Sequence, residues 1–96
     1  MERLPGPKLR HLKGLAQRLE PVARVGKAGL SESFMKSLDE ALTIHELVKV
    51  KFADLKDQKK ELAPVMAERT SSILVMQVGN VVVLYRARPF AEGEPR

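Results

Sequence analysis

The sequence predicts a small α/β two-layer sandwich, ordered helix, strand, helix, strand, helix, strand, strand, around a mixed sheet of about four strands. Three observations predict it. Apolar spacing switches repeatedly between a helical period and a strand period. Strand–helix–strand order calls for a parallel crossover. Near the end, two β-branched runs flank Gly79-Asn80, which requires an antiparallel hairpin.

The elements follow in order. In "PKLRHLKGLAQRLE" the residues Leu9, Leu12, Leu15, Ala16 and Leu19 recur at helical spacing, with Lys8, Arg10, His11, Lys13, Gln17 and Arg18 filling the remainder. Pro7 suits a first turn, Pro21 stops the helix, and Gly14 weakens it modestly. "PVARV" is short and β-branched, and reads as a strand feeding Gly26. A second helix is expected from Ser31 to His45, with Ser31 as N-cap, Glu32 in the first turn, and Phe34, Leu38, Ala41, Leu42 and His45 along one stripe. "ELVKVKFA" alternates, so Leu47, Lys49 and Lys51 face one way and Val48, Val50 and Phe52 the other. A third helix is expected from Asp57 to Thr70, carrying Leu62, Val65 and Met66 inward, with Pro64 imposing a kink or a late start. "SILVMQV" and "VVVLYR" close the sheet, and "ARPFAEGEPR" reads as a polar tail. Residues 1–86 are thus expected to form one domain and 87–96 a flexible tail.

Composition narrows the function. With 44% hydrophobic and 30% charged residues the chain can bury a core and remain in solution. It has no cysteine, which removes disulfides, thiolate nucleophiles and cysteine zinc sites, and suits a reducing compartment such as the cytoplasm. Its longest apolar run is about five residues, too short for a membrane span. Between Pro7 and Gly29, Lys8, Arg10, Lys13, Arg18, Arg24 and Lys27 face Glu20 alone, which matches the whole net charge of +5. A polyanionic partner is expected, nucleic acid before membrane.

"RVGKAGLS" is the most informative stretch. A strand ending in glycine and leading to a helix N-terminus exposes backbone N–H groups beside a positive dipole end, which suits an anion. Glycines at 26 and 29 would let a phosphate backbone approach closely, and Lys27 adds charge at the tip. The same glycines also suit a tight turn with positive φ. The stretch has neither the spacing of a nucleotide-triphosphate P-loop nor the GxGxxG fingerprint. His11 and His45 do not form a recognisable acid–base pair, and no metal-ligand cluster or cofactor motif appears. Phe34 and Phe52 are assigned to the core, leaving Tyr85 and Phe90. A base-stacking platform is therefore not expected, and phosphate contacts should dominate.

Taken together, "LKGLA", "PVARVGKAGLSES", "HELVKVKF" and "VGNVVVLYR", in this order, resemble the CRM domain (chloroplast RNA splicing and ribosome maturation) in its stand-alone bacterial form, the YhbY family. The resemblance covers roughly residues 8–86. It implies an RNA-binding module similar in fold to the C-terminal domain of the third translation initiation factor, with a GxxG loop like that of KH domains. It also implies a non-enzymatic role on ribosomal RNA of large-subunit (50S) precursors during ribosome assembly. The RNA-binding residues that the resemblance implies are Gly26, Lys27, Ala28 and Gly29 of the loop, Lys8, Arg10, Lys13 and Arg18 of the first helix, and Lys49, Lys51 and Arg86 of the sheet; Arg24 joins them as a departure that enlarges the basic patch. Arg24 stands where the family commonly has an apolar residue. A cytoplasmic monomer needing no cofactor, membrane or small-molecule substrate is expected. Two other readings remain: a ribosome-associated protein-interaction module whose basic surface only steers approach, and a ribonuclease using His11 and Lys13.

Overall fold

A computed structural model of the chain describes residues 6–87. Three helices, α1 (Gly6–Ala16), α2 (Glu32–His45) and α3 (Lys59–Arg69), alternate with strands β1 (Ala23–Val25), β2 (Leu47–Phe52), β3 (Ile73–Val78) and β4 (Val81–Tyr85). The strands form one sheet in the order β1-β2-β4-β3. β1 and β2 are parallel, whereas β4 is antiparallel to both β2 and β3, so the predicted α/β class and mixed sheet stand. The crossover through α3 skips one strand position, and the hairpin returns β4 into it.

The layers number three rather than two. Val48, Val50 and Phe52 of β2, with Val25, Val82 and Leu84, meet Met35, Leu38 and Leu42 of α2 and Ala63, Met66 and Ala67 of α3. On the opposite face, Leu47, Val75 and Val83 meet Leu12 and Ala16 of α1. Side chains alternate along a strand, so the central strands β2 and β4 send apolar groups to both faces, and each face needs a cover. The shift of register between Leu74 and Met76 is a β-bulge. It lets Val75 and Met76 both pack toward α1.

Local chemistry sets the element ends. Ser31 caps α2, its hydroxyl accepting the Phe34 N–H at 3.2 Å. α1 gives way to tighter turns, Arg18 N–H to Leu15 carbonyl and Leu19 N–H to Ala16 carbonyl, both 3.1 Å, before Pro21. Its regular part is therefore shorter than the periodicity suggests, and Leu15 stays 44% exposed. α3 starts late, after a 3₁₀ turn at Lys56–Gln58. Pro64 sits within it, and Ala63, Met66 and Ala67 make its buried stripe. Val65, expected inward, is 42% exposed, because the inward stripe runs through Ala63, Met66 and Ala67 and leaves Val65 beside it. The helix ends with the Ser72 N–H on the Ala67 carbonyl and the Ser71 N–H on the Glu68 carbonyl, a Schellman motif. Its left-handed position is Ser71, with φ 53°, where glycine is usual. From residue 88 onward, the expected tail and Phe90 lie outside the described residues.

Candidate nucleic-acid interface

β1 and β2 run side by side, so their carboxyl ends open at the same edge of the molecule. Ligands of open α/β sheets bind at such edges. From β1 the chain enters a turn in which the Gly29 N–H donates to the Gly26 carbonyl at 3.0 Å, presenting Lys27 and Ala28 to solvent. Two residues later Ser31 starts α2, which points its N-terminal amides and dipole toward the turn.

The glycines differ. Gly29 has φ 66°, the left-handed region, and a Cβ there would come within 3.3 Å of Leu55. Turn geometry and packing therefore account for it. Gly26 has a φ outside that region, and nothing lies within 4 Å of a Cβ built on it. Neither the backbone nor the packing requires glycine at 26.

The basic residues fall on the α1 side of the sheet. Ala23 and Val25 turn to the α2 core, so Arg24 projects from the opposite face and is exposed. In the parallel register Arg24 stands beside Lys51, also exposed. Among the described residues no acidic group forms an ion pair with either. α1 packs chiefly on β2 and β3, which leaves this strip open beside the helix. Lys8, Arg10 and Lys13 are exposed on α1, with Arg18 in the turn after it. The Lys8 ammonium lies 5.3 Å over the Tyr85 ring. Tyr85 pairs with Leu47, at the end of β2 away from the glycine turn, so the basic track runs the length of the strand, roughly 16 Å.

Two expected members are spent on the fold. Lys49, half-buried, donates from Nζ to the Leu19 carbonyl at 3.1 Å and ties the α1–β1 connection to the sheet. Arg86 does not join the basic face. It reaches across the α2–α3 side, pairing with Asp39 at 2.5 Å and donating to the carbonyls of Thr70 and Asp39, both at 2.9 Å, and to the Thr43 hydroxyl at 3.0 Å. Its side chain is only 21% exposed. In sequence it is one more cation after a strand, and nothing local tells that its partners lie on two helices.

His11 on α1 and His45 at the end of α2 lie on opposite sides of the sheet. His11 and Lys13, two apart on a helix, do not face each other. Among the described residues no group of three or more His, Cys, Asp and Glu could hold a metal, and no helix is long and apolar enough to cross a membrane.

With this geometry in place, kinship is informative. The CRS1 / YhbY (CRM) domain matches residues 4–86. The chain belongs to this family. Among CRM relatives, the probable RNA-binding protein YqeI of Bacillus subtilis is 34% identical over 84 residues, 86% of this chain and 88% of that protein. An RNA-binding protein of Haemophilus influenzae is 40% identical over 76 residues, 78% of this chain and 77% of that protein. The solution structure of SAV1595 from Staphylococcus aureus superposes with a TM-score of 0.75 at 36% identity, covering 96% of this chain and 95% of that one.

Proposed function

We propose that this CRM protein binds RNA through its phosphate backbone, without catalysis, and that its RNA is the ribosomal RNA of large-subunit precursors. The observation that carries the reading is Gly26: a glycine without structural need, at the end of an open strip bearing Arg24, Lys51 and Lys27. A ribose–phosphate chain needs close backbone approach together with unpaired cations, and the strip offers both. Lys8, Arg10, Lys13 and Arg18 extend the track along α1. Arg86 is left out of it, and Lys49 contributes only its field. The names of the relatives support RNA as the ligand; the ribosomal precursor, the cytoplasm and the monomeric state rest on the resemblance in sequence and on composition.

The test is fluorescence anisotropy of labelled large-subunit RNA fragments over a salt series, with wild type and Gly26→Asp. Position 26 is a cleaner probe than 29, where a side chain brings its own backbone strain and contact. Wild type should lose log affinity with log salt at about 0.7 per phosphate neutralised on single strands. Gly26→Asp should keep its fold and bind at least about tenfold more weakly, since it places an anion and a Cβ where phosphate approaches. Equal binding by the two proteins would sink the loop reading, and no binding by either would turn the search to protein partners on the ribosomal particle.

A further inference from the structure

The segment between β2 and α3, and α3 itself, hold the chain on both sides of the glycine turn and stand beside it. The Val25 carbonyl, last of β1, accepts both the Ala53 and the Asp54 N–H at 3.0 Å. Leu55 packs on the α2–α3 core, and its Cδ1 stands 3.3 Å from the Cβ position of Gly29. Arg69, the last residue of α3, donates to the Leu30 carbonyl at 3.4 Å. Leu55 is also strained, with φ 54°, a left-handed conformation uncommon for a bulky residue. The surroundings hold it there: the Asp54 carboxylate accepts its N–H at 2.7 Å, and its own carbonyl accepts the Gln58 N–H at 2.9 Å. Two left-handed residues from two loops, Gly29 and Leu55, thus meet at the carboxyl edge of the parallel pair.

We infer that Leu55 is the positioning residue of the RNA clamp: it holds the Gly26–Gly29 turn in its binding shape without touching RNA itself. The inference rests on the RNA reading above. Residues 53–58 line one open pocket and carry Asp54 and Asp57 against Lys56, a net negative segment and so a poorer phosphate contact than the basic strip. What it offers the turn is rigidity. A turn held in one shape before binding spends less ordering entropy on the RNA, so its affinity rises without an added contact.

That distinction is measurable. Deleting a phosphate contact lowers both affinity and salt slope, whereas loosening the turn lowers affinity alone. Leu55→Gly relieves the strain at 55 while removing the side chain that stands beside Gly29. With a labelled single-stranded RNA of mixed sequence, its affinity should fall about three- to tenfold with the wild-type salt slope. Lys27→Ala should lower the slope by about 0.7, and Leu55→Met should bind as wild type. Wild-type affinity in folded Leu55→Gly, or a slope reduced as in Lys27→Ala, would overturn the inference. A second measurement needs no variant: amide order parameters of Lys27 and Ala28 in the free protein should be near 0.85, about those of β1, and values below about 0.6 would overturn it as well. If wild type binds no RNA, the RNA reading fails, while the order parameters still decide whether the turn is held.

Discussion

Gly26 and Gly29 stand three residues apart in one turn and are glycine for different reasons. At 29 the backbone is left-handed and Leu55 is close, so Gly29→Ala should destabilise the fold by about 1 kcal/mol, read as a lower midpoint in urea. Gly26→Ala should leave that midpoint unchanged. Ser71 is the reverse case, a left-handed position occupied by a residue with a Cβ. Ser71→Gly removes that strain and gives back part of the gain in unfolded-chain entropy, so a net rise of about 0.5 kcal/mol is expected, or ~2–4 °C in Tm. No change in Tm would mean that the hydrogen bonds around the Schellman turn relieve the strain at 71 already.

At the scale of elements, β1 and β2 pose a conflict that a ligand would resolve. Their register sets Arg24 directly beside Lys51 on adjacent parallel strands about 4.8 Å apart, and like charges so placed repel. Removing one of them should stabilise the free protein by roughly 0.2–1 kcal/mol, as cross-strand like-charge pairs do. The same change should weaken RNA binding and lower its salt slope by about 0.7. Arg24→Gln is therefore expected to move Tm up and affinity down, with the Tm gain fading as salt rises. Effects of the same sign on both would mean that Arg24 is a structural residue and not a phosphate contact. α1 adds to this surface by its placement: packed chiefly on β2 and β3, it borders the strip instead of burying it.

The whole molecule is a sheet between two helical layers with opposite tasks. The α2–α3 face holds the larger core, and Arg86 locks it from the end of β4 by gripping Asp39, Thr43 and Thr70. Arg86→Ala leaves the Thr70 carbonyl without that partner and should cost about 2 kcal/mol of stability in chemical denaturation. RNA affinity of the folded variant should match wild type, because the residue faces away from the basic track. A folded Arg86→Ala protein with a reduced salt slope would return it to the interface.

By itself the sequence determined what depends on neighbours along the chain. Helical and strand periods, the Ser31 cap, the Gly79-Asn80 hairpin, the concentration of charge before residue 30 and the glycine turn are all legible there, because each follows from local backbone chemistry or spacing. One global feature is present there too: the apolar run "VVVLY" alternates with nothing polar, the pattern of a strand covered on both faces, which the two-layer expectation does not accommodate. Only the tertiary structure decided how the cations divide. Arg24 and Lys51 are brought together by strand register, Lys49 is tied to the Leu19 carbonyl, and Arg86 is drawn to the opposite face by partners as far as 47 positions away in sequence. In sequence all four are basic residues in or beside strands. A charge is free to meet a ligand only where the folded chain leaves it unpaired, and pairing between distant residues is set by how the elements pack.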